Sequence, residues 1–342
     1  MTRRIQTLLA GLVLLVALVA LTFTMTVPFV ALVPGPTVNT IGKYTDGKQV
    51  IQVEGKSQNN GRQGHLNLTT VGVIDQITPY NAIVGWFSDA VSVVPAETVF
   101  PPNQTRQQVD KQNKADFNDS ENSAISAALG NLGYPDKVVV VDPPKGSVLV
   151  AGDAINTFNG AAISTYQDLK ANLAATAPGA KVTIDYEHLG APSITTLTTK
   201  ATTDGSAGSL LGVSVNQRPY APFNVTFAQN DIGGPSAGLM LTLGVIDIVG
   251  PKSITGGKFI AGTGTIDATG KVGPIGGIRL KMKMASQVGA QIFLTPAENC
   301  AEALTNPPTG LQIVKVTDLK SALAAVNQFT SGQKSLPSCQ AS

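Results

Sequence analysis

Two glycine-led turns constrain this chain most, because each places a reactive side chain on a helix. The first spans residues 233–238, with the sequence Gly-Gly-Pro-Ser-Ala-Gly, and carries Ser236. The second spans residues 273–281 and carries Lys281. A serine hydroxyl becomes a good nucleophile when a base takes its proton, and a lysine is such a base once burial has made it neutral. The pair suggests a hydrolase that uses a serine and a lysine.

The first turn leads into an apolar helix. Residues 224–227 predict a strand that runs through residues 230–232 into the turn, and Pro235 suits a first helical turn. The apolar run 239–249 predicts a buried helix. Ser236 would then lie beside backbone N–H groups without helical partners, which can stabilise an oxyanion. The alternative is that Ser236 only caps the helix.

The second turn opens another helix, which we expect to reach about Val288. A strand is predicted at residues 258–261, before the turn. At about 100° per residue, Lys281 falls on the apolar face and Leu280 lies opposite. The other members of that face are Ile278, Met282, Ala285 and Val288, whereas Arg279 and Lys283 point away. A buried, unpaired ammonium is costly. The alternative is a side chain that snorkels to water.

Composition removes several classes of function. The net charge of +2 in 342 residues gives no reason to expect a nucleic-acid partner. The two histidines, His65 and His188, are far apart and lack metal-ligand spacing, so no zinc site is predicted. We also expect no cofactor. The two cysteines, Cys300 and Cys339, can form an extracytoplasmic disulfide or remain unpaired, and their spacing leaves both open.

The N-terminus predicts a membrane anchor. Arg3 and Arg4 precede an apolar run from Leu8 that continues with few polar breaks to Val33, and a run of roughly 20 apolar residues can cross a bilayer. We expect the arginines to remain in the cytoplasm, the helix to end at residues 34–36 (Pro-Gly-Pro), and the rest of the chain to lie outside. The alternative is a cleaved signal peptide, although no clear cleavage site follows.

Short elements follow the anchor. Strands are predicted at residues 50–53 and 65–71, and a helix at residues 80–93. The polar segment 101–118 is expected to be a mobile surface segment. A helix from about Asn122 to Leu132 should end at Gly133.

Residues 135–205 resemble a bacterial PDZ domain in the order of their strands and helix. The matching positions are Gly152, Asp153, Ile155, Asn159, Gly160, Ile163 and Leu169. The resemblance implies a partner, namely an extended protein or peptide substrate added as a strand to a sheet edge. Residues 132–134 are candidates for capturing a peptide carboxylate, with a plain helix end as the alternative. The alternative for the whole domain is a spacer that no longer binds a peptide.

Residues 210–330 resemble the proteolytic domain of Lon-type serine proteases. The resemblance rests on the Gly-Pro-Ser-Ala-Gly block, on Thr263 and Gly264, on residues 270–277 ending in Pro-Ile-Gly-Gly, and on residues 294–299. By position, Ser236 matches the family's nucleophile, Lys281 its general base, and Thr263 the threonine that orients the lysine. The resemblance also implies a homo-oligomer, because such domains commonly form rings.

The chain departs from the ATP-driven members of that family. No Gly-x-x-x-x-Gly-Lys-Ser/Thr loop occurs, and residues 250–258 have the wrong spacing for one. Gly233 stands where many Lon enzymes carry an acidic residue, and Asp231 is not aligned with that position.

The predicted fold class is a multidomain α+β chain with an N-terminal transmembrane helix, a PDZ-like domain and a Lon-type α+β domain. We expect a cytoplasmic N-terminus (1–7), a signal anchor (8–33), an extracytoplasmic region (36–134), the two domains (135–205 and 210–330) and a C-terminal tail (331–342).

The layout resembles that of membrane-anchored, PDZ-containing Lon-like proteases of bacteria. It implies an ATP-independent serine endopeptidase in the cell membrane with Ser236, Lys281 and Thr263 as catalytic residues. The alternatives are a non-catalytic PDZ adaptor, or a transacylase or autoprocessing enzyme that uses the same pair.

Overall fold

A computed structural model describes residues 3–57, 62–202, 207–228, 232–333 and 335–340 of the chain. It has the mixed helix and strand content that the sequence predicts. The helices are α1 (Arg3–Thr24), α2 (Pro79–Trp86), α3 (Arg106–Asn131), α4 (Tyr166–Ala174), α5 (Gly238–Val249), α6 (Ile278–Gln287), α7 (Cys300–Ala303) and α8 (Leu319–Thr330). Short 3-10 turns cover Ala96–Thr98, Pro235–Ala237 and Ala297–Asn299.

The strands alternate with these helices along the chain. Before α4 they are β1 (Phe29–Asn39), β2 (Ile51–Glu54), β3 (His65–Ile74), β4 (Ser92–Pro95), β5 (Asp136–Asp142), β6 (Ala154–Phe158) and β7 (Ala161–Ala162). After it they are β8 (Lys181–His188), β9 (Ala191–Thr198), β10 (Lys200–Ala201), β11 (Ser209–Leu210), β12 (Ser214–Pro219), β13 (Asn224–Phe227), β14 (Phe259–Gly262), β15 (Thr265–Ile266), β16 (Val272–Gly273), β17 (Ile292–Pro296) and β18 (Gln312–Val316).

The main sheet combines strands from distant parts of the chain. Its order is β18-β17-β14-β3-β1-β4, and β14 pairs in parallel with both β17 and β3. Beside it, β2 pairs with β13. We call residues 29–131 and 224–330 together the main unit, because they share this sheet and its core.

Helices cover both faces of the main sheet. Successive side chains of a strand point to opposite faces. In β17, Ile292 and Leu294 accordingly pack in the larger core with α3, α5 and α8, whereas Phe293 packs in the smaller core with α6 and α7. The mostly apolar sequence of α5 follows from this position, since all but one of its residues are buried.

Residues 136–219, the inserted unit, form a second sheet in the order β12-β5-β6-β8-β9. The unit has its own apolar core, which includes Leu169 from α4. In the sequence, the unit follows α3 of the main unit and precedes β13 of the main unit. Its first and last strands pair with each other, with Asp136 opposite Pro219, so the insertion leaves the main unit's core intact.

Two predicted domain boundaries are wrong. Residues 36–134 are not a separate region, because β1, β2, β3 and α3 supply much of the main unit's sheet and core. The PDZ-like unit does not end at residue 205, because β12 pairs with β5. Neither pairing can be seen in local sequence, since the partners lie far apart along the chain.

The prediction that residues 101–118 form a mobile surface segment is also wrong. Helix α3 already begins at Arg106, and Thr105 and Gln108 form a capping box at its start. Val109 and Phe117 are the buried apolar side chains of this polar stretch. Two apolar positions are too few to produce the hydrophobic periodicity that would predict a helix here. Gly133, at a φ of 83°, follows the end of α3 and terminates the helix as predicted.

The N-terminal helix is shorter than the predicted anchor. It ends at Thr24, and residues 29–39 form β1, so the prediction that residues 34–36 end the helix is wrong. Hydropathy alone does not separate a membrane helix from the apolar strand that follows it. The second predicted helix also ends early, at Trp86, and β4 follows.

A disulfide holds the C-terminal tail, for which the cysteine spacing had left both pairing and no pairing open. Cys300 and Cys339 form a disulfide with their Cα atoms 5.2 Å apart. The tail is also held by an isolated bridge between Val314 and Ser338.

Candidate active site

Ser236 lies in a tight turn at the start of α5. Gly234 has a φ of 82°, a left-handed conformation that favours glycine, and Pro235 begins the 3-10 turn that carries Ser236. The helix starts where the sequence predicts. The preceding strand is shorter, because β13 ends at Phe227; Asn230 and Asp231 lie outside the described residues.

Helix α3 holds this turn from one side, which the sequence did not suggest. The Gly234 N–H donates to the Asn113 carbonyl at 2.8 Å, and the Ser120 hydroxyl donates to the Pro235 carbonyl at 3.2 Å. The approach is close enough that a Cβ on Gly238 would lie 2.9 Å from Ser120 Oγ. Glycine at position 238 therefore lets α3 contact the start of α5.

Lys281 reaches Ser236 from α6. Its Nζ lies 2.7 Å from Ser236 Oγ and 3.0 Å from Thr263 Oγ1. The residue is 3% exposed, so the alternative of a snorkelling side chain is wrong. The helical-face prediction is only partly right, because Leu280 is also buried and Val288 is exposed at the end of the helix.

Burial shifts the titration of this lysine. It lowers the Lys281 pKa from 10.5 to about 8, because the charged ammonium loses its hydration in the apolar core. No carboxylate in the described part of the chain lies within 4 Å of Nζ to restore the charge. The site therefore favours the neutral amine more than solvent does.

Thr263 connects the two side chains. It is fully buried between β14 and β15, and its hydroxyl donates to the Ser236 carbonyl at 3.0 Å. With its hydrogen used there, Oγ1 is left to accept from Lys281. The Gly264 N–H also donates to the Ser236 carbonyl, at 3.0 Å. The residues that the sequence singled out thus lie together, although their segments are far apart.

A cavity of about 360 Å³ opens onto Ser236 and Lys281. Its wall includes Pro36 from β1 and Thr70 and Val71 from β3, which belong to the stretch that the sequence assigned to a separate region. The Thr70 hydroxyl donates to the Pro36 carbonyl at 2.7 Å. A Cβ on Gly35 would lie 2.3 Å from Thr70 Oγ1, so a glycine is needed for these strands to meet beside the site.

Family comparison covers the part of the chain that carries Ser236 and Lys281. Residues 230–326 match the model of the Lon protease (S16) C-terminal proteolytic domain. The chain therefore carries a Lon-type proteolytic domain, which is a serine peptidase domain. No curated protein gives a match to the chain.

The chain is also similar to solved PDZ-domain structures. One is the PDZ domain of the SdrC-like protein from Listeria monocytogenes, at 22% identity and a TM-score of 0.22, covering 23% of this chain and 87% of that chain. Another is the PDZ domain of the SdrC-like protein from Listeria innocua, at 24% identity and a TM-score of 0.20, covering 25% and 93%.

Proposed function

We propose that this protein is an ATP-independent endopeptidase whose nucleophile is Ser236 and whose general base is Lys281. The observation that carries the proposal is the 2.7 Å contact between Lys281 Nζ and Ser236 Oγ, in a site where Nζ has hydroxyl partners. A neutral Lys281 accepts a hydrogen bond from the serine hydroxyl while it donates one to Thr263. That geometry fits proton transfer from Oγ to Nζ.

The reaction follows from these contacts. Ser236 Oγ attacks the scissile carbonyl while its proton moves to Nζ, and the lysine then protonates the leaving amine. Water hydrolyses the resulting ester with the same lysine as base. Backbone N–H groups near Ser236 that lack helical partners would hold the oxyanion, and the helix dipole favours negative charge there. Thr263 positions the lysine.

We propose membrane anchoring through α1, with the main unit on the extracytoplasmic side. The helix has 22 residues, its most apolar stretch of 18 residues has a mean hydropathy of 2.5, and none of that stretch is buried against the rest of the protein. Arg3 and Arg4 at its start favour a cytoplasmic N-terminus. Substrates would be unfolded or exposed protein segments, selected or presented by the inserted unit.

Cleavage of an unfolded protein by the full chain in detergent, without nucleotide, tests the proposal. We expect Ser236→Ala and Lys281→Ala each to lower kcat by at least about 100-fold, the usual range for losing a nucleophile or a general base. Lys283→Ala, on the same helix, is the matched control and should retain activity.

Two results would count against the assignment. Cleavage that persists in Ser236→Ala would exclude this serine as the nucleophile. A wild-type chain that neither cleaves nor is labelled at Ser236 by an acylating probe would favour the binding-protein alternative.

A further inference from the structure

Helix α2 presents its large apolar side chains to solvent. Tyr80, Ile83, Val84 and Phe87 recur at the spacing of one helical face, and all are exposed, Phe87 to 88%. Trp86 beside them is 58% exposed. Such an exposed apolar surface on a protein usually marks a site of contact.

The inner face of α2 explains why these side chains point outward. Ala82 and Gly85 are buried there, and the helix packs closely on β4. A Cβ on Gly85 would lie 2.6 Å from Val93 Cγ2, so no larger residue fits at this position. The inner face is already filled by small residues, and turning the helix would not bury the large ones.

Contacts to α1 and to the residues after it fix the position of α2. The rings of Phe23 and Tyr80 are 4.8 Å apart, and those of Phe29 and Trp86 are 5.9 Å apart. The Val27 N–H donates to the Ile77 carbonyl at 3.0 Å. Helix α2 therefore lies beside the C-terminal end of α1.

The length of α1 puts that end at a bilayer surface. A helix of 22 residues is about 33 Å long, close to the roughly 30 Å of a hydrocarbon core. Phe23, one residue before the end of the helix, would lie where the core meets the headgroups. Tyr80 contacts it at the same level.

We infer that α2 and Phe87 form a second membrane contact, embedded in the headgroup region of the outer leaflet. The inference rests on the proposed anchoring through α1. Tryptophan and tyrosine are favoured at this depth because their rings combine an apolar body with a polar group. Residues 76–88 contain no charged side chain, so the contact suits a zwitterionic lipid surface and needs no anionic lipid.

This contact would set the height of the active site. Strand β1 begins at Phe29, which contacts Trp86, and its Pro36 lines the catalytic cavity. Seven residues of strand span about 23 Å. A main unit held at both α1 and α2 would keep its cavity within that distance of the membrane. The favoured substrates would then be extracytoplasmic segments close to the bilayer, such as the juxtamembrane parts of membrane proteins.

Trp86 reports on this contact directly, because it is the only tryptophan in the chain. The full chain is reconstituted in phosphatidylcholine vesicles, with or without lipids brominated near the headgroup end of their acyl chains. We expect the brominated lipid to quench most of the Trp86 emission and the vesicles to shield Trp86 from aqueous iodide. Full quenching by iodide with none by bromine would overturn the inference.

Flotation of the same vesicles separates this result from the anchoring itself. If the chain floats with the vesicles while Trp86 remains in water, the second contact is rejected and the anchoring through α1 stands. If the chain does not float, both are rejected.

Charged substitutions supply the matched comparison. The double variant Ile83→Asp, Phe87→Asp should remove the bromine quenching, and Val148→Asp and Ile194→Asp, at exposed apolar positions of the inserted unit, should not. The double variant should cleave a soluble unfolded protein at the wild-type rate and lose most cleavage of a peptide tethered close to the bilayer. Unchanged quenching in the double variant would contradict the inference.

Discussion

The two ends of α5 both adjoin a buried ionisable side chain, but with different partners. At the N-terminal end, Lys281 contacts the hydroxyls of Ser236 and Thr263. Near the C-terminal end, Asp247 is fully buried and lies 3.5 Å from the guanidinium of Arg62, measured from Oδ2 to the Nη1 atom. One site holds a lysine among neutral hydroxyl groups, and the other holds an ion pair.

Further hydrogen bonds complete the pair at the C-terminal end. Asp247 Oδ1 accepts from the Ser253 hydroxyl at 2.8 Å and from the Ile254 N–H at 2.6 Å. Arg62 also donates to the Gly250 carbonyl at 3.0 Å, which satisfies a carbonyl just past the end of the helix. These contacts join α5 to the segments before β3 and β14.

The comparison shows how the partner decides what burial does to a charge. At the C-terminal end, the attraction between Asp247 and Arg62 offsets part of the cost of burying them, so the pair acts on stability. Hydroxyl partners leave the cost of burial largely uncompensated, so the lysine releases its proton more easily. Only the N-terminal end is suited to acid–base chemistry.

Replacing Lys281 by arginine should break the N-terminal site most severely. Arginine does not lose its proton in proteins, so the positive charge remains but the base is lost. We expect kcat to fall by at least about 100-fold. Peptide cleavage assays at pH 9 measure this, with Lys283→Arg as the control and circular dichroism to verify folding. Activity near the wild-type level would show that Lys281 is not the base.

Removing the acid at the other end should affect stability and not chemistry. Asp247→Asn leaves Arg62 buried without its countercharge, which should lower the free energy of unfolding by about 3–5 kcal/mol. Denaturant unfolding measures the loss. The double variant Asp247→Asn, Arg62→Met should recover part of it, because no lone charge remains. If the double variant recovered no stability, the loss in Asp247→Asn would not come from the unpaired charge of Arg62.

The pH dependence of cleavage tests the N-terminal end in the unmodified protein. Because the Lys281 pKa is lowered to about 8, kcat/KM should fall about tenfold per pH unit below that value and level off above it. A profile that is flat between pH 6 and 9 would argue against a lysine base.

The same shift affects stability. Between about pH 8 and 10.5 the unfolded chain binds more protons at Lys281 than the folded one, so this group's contribution to stability rises with pH.

Thr263→Val gives the smallest of these effects and tests the role of the hydroxyl partner. Valine keeps the volume but removes the oxygen that accepts from the charged lysine, so the Lys281 pKa should fall further and the pH profile should move to lower pH. We expect kcat to decrease about tenfold, the scale of one hydrogen bond. A shift toward higher pH would mean that Thr263 does not favour the charged form.

Much of the candidate site could be predicted from local sequence. The turn before Ser236, the helix that carries Lys281 and the position of Thr263 lie close to where the motifs indicated. Gly234 and Gly277 both adopt a positive φ, at which other residues are strained. A glycine in the sequence therefore indicates where such a turn can form.

The wall of the site could not be predicted in this way. Pro36, Thr70 and Asn113 come close to the turn at Ser236 only because β3 pairs in parallel with β14 and α3 packs against α5. No local pattern names these partners, since a strand's alternation shows which face is buried but not which strand lies beside it. The polar start of α3 and the apolar residues of β1 were predicted wrongly because the segments that pack against them lie far away in the sequence.

The sequence by itself determined the candidate site residues, their helices and the apolar N-terminal segment, because these depend on side-chain chemistry and on short-range backbone preferences. The tertiary structure decided that the first third of the chain completes the proteolytic unit and that the PDZ-like unit is an insertion within it. It also decided that Lys281 is buried against hydroxyls and Asp247 against an arginine, because burial and the choice of partner arise only when distant segments pack together.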